Sequence, residues 1–365
     1  DAPFSFTRAD KVFLNEVPAY VGPCPNERLG VLDVMVFGTT HGVDDQGYGA
    51  GHLFRDLVER KPVSVRVVTD AGATFSTTTT LDDITYAKLF GTRNTFKNYS
   101  AFVNCSSNPV STIFHAVEFG PDMSGATFSG CGQLNPIKND PQLKAIGIGT
   151  RILFNGAQGF IIGDGTRSSI EKPNLIAVAD MHSMMPEYMG GFTTSAGPEC
   201  VVSWAVPIPV VEEGMLDAIK QLDIEVPLPV MDVDQRERIG MATYGDGWSG
   251  VDLEVAVEPW RCIGCDHCLP QDSCPTDAIH VDDGAVLLDR VRCFNCGLCA
   301  TLCPVDVFAA ELGVLHFDYN GADIGVPIVL RQSDRKRAIE LSQILKRSIL
   351  DGTFRLTEMV ERIVP

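Results

Sequence analysis

Two cysteine runs in the last third of the chain constrain its fold more than any other feature. The first reads Cys262-Ile-Gly-Cys265-Asp-His-Cys268 followed by Cys274-Pro275, and the second reads Cys293-Phe-Asn-Cys296-Gly-Leu-Cys299 followed by Cys303-Pro304. Three thiolates spaced two residues apart wrap one face of a cubane, and a fourth cysteine before proline reaches across to the neighbouring cluster. The expected ligand sets are therefore Cys262, Cys265, Cys268 with Cys303, and Cys293, Cys296, Cys299 with Cys274. This predicts a bacterial-type two-cluster ferredoxin domain holding two 4Fe-4S clusters, and electron transfer as part of the work. Zinc also suits thiolate quartets, but the one-turn triplets and the Cys-Pro crossing favour cubanes. Five residues separate Cys268 from Cys274 where three separate Cys299 from Cys303, so a two-residue bulge is expected in the first half. His267, between ligands, reads as a surface residue that tunes the potential.

At 365 residues the chain exceeds one ordinary core, and at least two domains are expected. A balance of 29 basic against 47 acidic residues, net charge -18, argues against a nucleic-acid partner. Cysteines gathered at ligand spacing imply reduced thiols rather than disulfides. No apolar run reaches the roughly 18 to 20 residues of a membrane span, and no basic-then-apolar leader opens the sequence. A cytoplasmic protein without a membrane partner is expected.

The fold class read from the pattern is α+β: a strand-rich mixed large domain over residues 1–250, the two-cluster ferredoxin domain over 251–312, and a C-terminal strand and helix segment over 313–365. Strand-like runs occur at Val63 to Thr69, Arg151 to Asn155 and Phe160 to Gly163. Helices are expected over Leu81 to Phe90, Glu212 to Leu222 and Ser333 to Leu350. The Pro-rich VPIPVV (206–211) and VPLPV (226–230) read as the domain's closing edge, and Tyr244 to Asp252 as a linker. The basic cluster Arg331, Arg335, Lys336 and Arg337 reads as a solvated face.

Four cysteines lie outside the ligand runs. Cys200, before the strand-like VVSW, reads as a small buried hydrophobe. Cys24 in Gly22-Pro-Cys-Pro-Asn26 and Cys131 in Ser129-Gly-Cys-Gly-Gln133 stand in turns where a thiolate is reachable, and Cys105 in Asn104-Cys-Ser-Ser107 is intermediate. His41, His52, His115 and His182 are acid-base candidates whose ordinary reading is structural.

The strings GPCPNE (22–27), FKNYSAF (96–102), SGCGQLNPIKNDP (129–141), IGIGTRILFNG (146–156) and GTRSSIEKPNL (165–175) resemble the archaeal homocysteine-biosynthesis family. That family includes L-aspartate semialdehyde sulfurtransferase and the methanogenesis marker 16 proteins, the latter with a C-terminal ferredoxin module. The resemblance implies a further N-terminal segment, with a functional cysteine, ahead of the region matching Asp1. Some relatives also have a cysteine where this chain reads Thr69-Asp-Ala-Gly-Ala-Thr74, so the nucleophile here need not be theirs.

What the resemblance implies is a reductive sulfurtransferase that converts aspartate semialdehyde and sulfide to homocysteine, using a low-potential electron donor. The alternative is an electron-transfer or scaffold subunit of a larger anaerobic complex. Cys24, Cys131 and Cys105 are the candidate catalytic thiols, as persulfide carriers or as ligands of a third iron–sulfur cluster at Cys24 and Cys131. Cys24 and Cys131 are expected at one pocket. For the substrate's carboxylate the candidates are Arg151 and Arg167, and for its ammonium Asp164 and Asp180. A homo-oligomer is the expected assembly.

Overall fold

A computed structural model describes residues 9–22, 33–94, 99–166, 168–169, 173–251, 254–282 and 284–363. Among them the chain is mixed α+β, rich in strands and sparing in helices. Its largest sheet has six strands in the order Arg238–Thr243, Pro227–Asp232, Tyr99–Val103, Ala126–Gly130, Ala322–Arg331, Val314–Tyr319. The last two come from beyond the cysteine runs. Ala322–Arg331 joins the sheet by parallel pairing, Ile328 beside Ala126 and Arg331 beside Phe128. The chain therefore leaves the sheet, builds the cysteine module and returns to the same sheet.

Tyr99, Ala101 and Val103 alternate inward with Ala126, Phe128, Leu228, Val230, Leu315 and Ile328 to form this sheet's core, the period of two expected of a sheet with one buried face. A second core lies between helix Ala50–Val58 and an antiparallel sheet in the order Trp204–Ala205, Arg151–Phe154, Ala157–Asp164, Leu175–Asp180, Lys88–Asn94. The hairpin of Met189–Thr194 with Gly197–Val202 packs on that helix. Among the described residues no helix is long and apolar enough to cross a membrane.

Several local expectations are corrected. Leu81 to Phe90 is not a helix: Thr80 and Asp83 close one turn of 3-10 helix at Leu81–Asp83, and strand Lys88–Asn94 follows. The expected helix over 212–222 shortens to Met215–Lys220, and the C-terminal helix runs Arg335–Leu350 with Asp334, not Ser333, as its cap. Tyr244 to Asp252 is no simple linker. Thr243 caps helix Tyr244–Trp248, and Trp248 is buried in the main core. Strand Pro227–Asp232 lies inside the sheet rather than at its edge; its parallel pairing with Tyr99–Val103 involves only Val230 to Asp232, which leaves both prolines clear of that ladder. The two extra residues between Cys268 and Cys274 are taken up by one helical turn, Leu269–Asp272. The supposed solvated face is split: Lys336 is exposed, whereas Arg331 and Arg337 are buried.

Five hydrogen bonds fasten the cysteine module to the main sheet's strand Ala322–Arg331, to the hairpin strand Met189–Thr194, and to the C-terminal helix and its cap. The Arg331 amide donates to the Cys296 carbonyl (3.0 Å), and the Thr193 amide to the Pro275 carbonyl (2.7 Å). Asn295 Nδ2 donates to Asp334 Oδ2 (3.0 Å). Arg337 Nη2 donates to the carbonyls of Arg290 (2.7 Å) and Val291 (2.8 Å), so its burial is accounted for by the module's own backbone.

Gly247 is required at the contact between helix Tyr244–Trp248 and the sheet, because a Cβ there would lie 2.4 Å from the Phe128 ring. Gly247→Ala is expected to destabilise the fold by about 1–3 kcal/mol through overpacking, read as a lower urea midpoint at unchanged slope.

Candidate active site

Cys131 follows strand Ala126–Gly130 at a turn that its neighbours make possible: Gly130 and Gly132 both have positive φ, 121° and 82°. The half-buried thiol borders a cavity of about 340 Å³. Its walls come from the end of the main sheet (Ser129, Gln133), from Trp248, from the start of the C-terminal helix (Ser333, Arg335) and from strand Gly197–Val202. Phe294, which stands between Cys293 and Cys296, also lines it. This ring meets Phe192 edge-on with centroids 5.9 Å apart. The cavity thus lies between Cys131 and the second cysteine run.

Polar groups in the wall are tied together. Arg335 Nε donates to Gln133 Oε1 (2.9 Å), Gln133 Nε2 donates to Asp223, and Ser129 Oγ donates to Gln332 Oε1. Asn135 Nδ2 donates to the Gly132 carbonyl (2.8 Å) and to the Tyr244 hydroxyl (3.0 Å), fixing the turn that presents Cys131. Trp248 Nε1 donates to the Tyr99 hydroxyl (2.9 Å). Burial pushes the Tyr99 phenol up to about 12 and raises Tyr244 as well, and the neighbouring Cys131 adds to both rises.

Cys105 falls elsewhere. Cys105 follows Tyr99–Val103, whose register against Ala126–Gly130 is antiparallel with Tyr99 opposite Gly130 and Val103 opposite Ala126. Cys105 and Cys131 therefore stand at opposite ends of this ladder, roughly 15–20 Å apart along strands that rise about 3.4 Å per residue. The Cys105 amide is held by Asp232 Oδ1 (3.0 Å), and burial, followed by that carboxylate, pushes its thiol up to about 11. Cys105 is thus not a partner of Cys131 in one site. Cys200 borders the cavity, but its side chain packs with helix Ala50–Val58, whereas its neighbour Val201 packs towards Phe294. Burial pushes its thiol up to about 12. Cys24 lies outside the described residues.

The substrate-binding candidates are not at this cavity either. Arg151 lies over the Phe160 ring at 5.2 Å on the second sheet, and Asp164, at the end of strand Ala157–Asp164, accepts from Ser168 Oγ (3.4 Å). Asp180 caps a 3-10 turn through the His182 amide, and its carboxyl is held well below the usual range by Lys88 and then His182. This is a structural ion pair. Arg167 lies outside the described residues. His41, His52, His115 and His182 do not border the cavity; burial drives His115 down to about 4.

Around the cysteine runs the chain forms two smaller cavities. Cys262, Cys265, Cys268 and Cys303 line one; Cys274, Cys293, Cys296 and Cys299 line the other. The fourth cysteine of each run thus faces the other run's triplet. Among the described residues no three His, Cys, Asp or Glu side chains gather tightly enough for a single metal ion. Cys293, Cys296 and Cys299 are buried, whereas Cys265 is exposed between exposed Ile263 and Leu269. The buried quartet is the one beside the Cys131 cavity.

The family described as "Homocysteine biosynthesis enzyme, sulfur-incorporation" matches residues 2–356. This chain belongs to that family. An uncharacterized protein of Methanothermobacter thermautotrophicus is 46% identical over 353 residues, 96% of this chain and 80% of the relative. An L-aspartate semialdehyde sulfurtransferase of Methanosarcina acetivorans is 30% identical over 267 residues, 69% of this chain and 52% of the relative. The chain therefore spans about half the length of that enzyme. An uncharacterized ferredoxin of Methanocaldococcus jannaschii is 36% identical over 58 residues, 16% of this chain and 38% of the relative, a match at the C-terminal segment. No solved structure matches.

Sequence reasoning missed Arg331, Tyr99, Trp248 and Arg335. Only Tyr99 had a usable signal, its place in the matched FKNYSAF string. The thiol order is testable. Cys105 and Cys200 are held neutral well above pH 8, so brief iodoacetamide treatment of the anaerobic protein at pH 8 should label Cys131 before either of them, read by peptide mass spectrometry.

Proposed function

We propose that this chain is a reductive sulfurtransferase that makes homocysteine from aspartate semialdehyde and sulfide, with two 4Fe-4S clusters as its electron carriers. The observation that carries this reading is a shared wall: the reachable thiol, Cys131, borders one cavity, the buried cysteine quartet lines a second, and Phe294 lines both. Overall, the aldehyde and hydrogen sulfide take up two electrons and two protons, and yield one primary thiol and one water. The carbonyl C–O bonds break, one C–S and one C–H bond form, and the oxygen leaves as that water. The reaction needs a sulfur carrier, a seat for an amino acid and a reductant. Held one by each quartet, 4Fe-4S clusters would supply electrons one at a time.

The residues divide the remaining work. The Cys131 thiolate adds to the aldehyde carbon; sulfide then replaces the hydroxyl, which leaves as water, and uptake of two electrons and two protons cleaves the C–S bond to Cys131, which releases the primary thiol and restores the cysteine. Arg335, pre-set by Gln133, offers a guanidinium for the substrate's carboxylate, the role first expected of Arg151 and Arg167. Glu199, in the opposite wall, supplies the carboxylate for the substrate's ammonium. Trp248, Phe192 and Phe294 exclude water from the reacting carbon.

An anaerobic assay for homocysteine from aspartate semialdehyde, sulfide and a low-potential reductant tests this reading. Cys131→Ser should abolish product while leaving iron content unchanged; full activity in that variant contradicts the proposal. Arg335→Gln should raise KM about tenfold or more with a smaller change in kcat, as expected when a charge-assisted contact is lost. Iron analysis should give about eight irons per chain, and Cys296→Ala should remove about half of them.

A further inference from the structure

Three buried side-chain atoms beside Cys131 have no well-formed hydrogen-bond partner: Nε and Nη1 of Arg331 and Oγ of Ser333. All three can donate. Arg331 is 0% exposed, with its guanidinium 4.1 Å from the Trp248 ring centroid and 4.6 Å from that of Phe128. Its Nη2 donates to the Leu312 carbonyl (2.8 Å), and no acidic side chain pairs with it among the described residues. Buried charges are ordinarily paired, so a cation kept here without a carboxylate calls for an anion that joins the site.

The register says where that anion sits. Arg331 pairs with Phe128 and Tyr99 with Gly130, one residue before Cys131. A Cβ on Gly132 would stand 3.3 Å from the Cβ of Ser333. The Tyr99 hydroxyl accepts from Trp248 and lies within reach of both Arg331 and Ser333, so the three side chains meet at one oxygen, close enough to Cys131 for a thiolate there to raise the phenol. We propose that Arg331, Tyr99 and Ser333 form an anion seat that holds the sulfur of Cys131 as a thiolate. The proposal rests on Cys131 being the working thiol. No electron moves: the S–H proton leaves for solvent through the cavity, and the negative sulfur takes its place among the donors.

The other charged and titratable groups around Cys131 leave this role open. Tyr244 is held by Asn135, and Arg335 by Gln133. Asp334 is engaged by Asn295 and the Arg337 amide. Glu199 lies across the cavity, and Lys138 is paired with Asp223. Arg331 stays cationic at neutral pH, since burial brings it down only to about 10.

The test is the pH dependence of Cys131 alkylation by iodoacetamide in the anaerobic holoprotein, followed at the Cys131 peptide by mass spectrometry. The wild-type half-rate pH should lie below that of an ordinary thiol. Tyr99→Phe should slow Cys131 alkylation about tenfold at pH 7, the equivalent of one pKa unit, and Arg331→Met by at least as much. Arg331→Lys should recover part of the rate. Should Arg331→Met fail to fold, Tyr99→Phe, which keeps the ring, decides. Wild-type rates across pH 6–10 in folded Tyr99→Phe and Arg331→Met overturn the seat. The readout needs no turnover: an inactive protein with the shifted profile would sink the sulfurtransferase reading and keep the seat, and an active one with no shift would do the reverse.

Discussion

Strand Ala322–Arg331 is the member on which both halves of the molecule depend. Its edge pairs with Ala126 to Phe128 in the main sheet, and its last amide takes the Cys296 carbonyl. Three residues on, Asp334 caps the C-terminal helix and accepts from Asn295. Backbone groups that must be paired when buried are here paired across the junction, so the cysteine module is bonded to the sheet instead of tethered by a linker. The relation between Cys131 and the buried quartet follows, because Ser129 to Cys131 and Cys296 are both positioned against this one strand.

That junction gives the module a direction. One quartet is enclosed, with Cys293, Cys296 and Cys299 buried against the large core, while the other opens to solvent at Cys265. Arg292 adds longer ion pairs to Asp56 (3.8 Å) and Glu59 (3.7 Å) at helix Ala50–Val58 and its C-terminal cap, worth little singly but placed to fix the same face. On the proposed reading, electrons that enter at the open quartet have the enclosed one between them and the Cys131 cavity.

Much of this was legible in the sequence, for reasons that differ between elements. The cysteine spacings carried the crossing pattern because ligand geometry is local. The turn at Cys131 was legible because glycines on both sides allow the positive φ it needs. What the sequence hid was decided by distant contacts. Arg331 looked like part of a basic surface but is buried under Trp248, itself in a stretch that read as a linker. Cys105 was grouped with Cys131 as a candidate thiol, and only the antiparallel register of their strands separates them. Arg151 sat in a well-matched string and Asp180 shortly after another, yet their contacts are a ring and a lysine of the second sheet. Cys24 and Arg167 lie outside the described residues.

The central claim, that reducing equivalents held by the cysteine module are spent on sulfur chemistry in the cavity beside it, is tested most directly by a single turnover. Holoprotein reduced anaerobically and freed of reductant is mixed with aspartate semialdehyde and sulfide, and cluster reoxidation and homocysteine are followed together. Two one-electron clusters predict about one homocysteine per chain, formed as the reduced-cluster signal disappears. Homocysteine appearing while the clusters stay reduced, or reoxidation without product, would contradict the account.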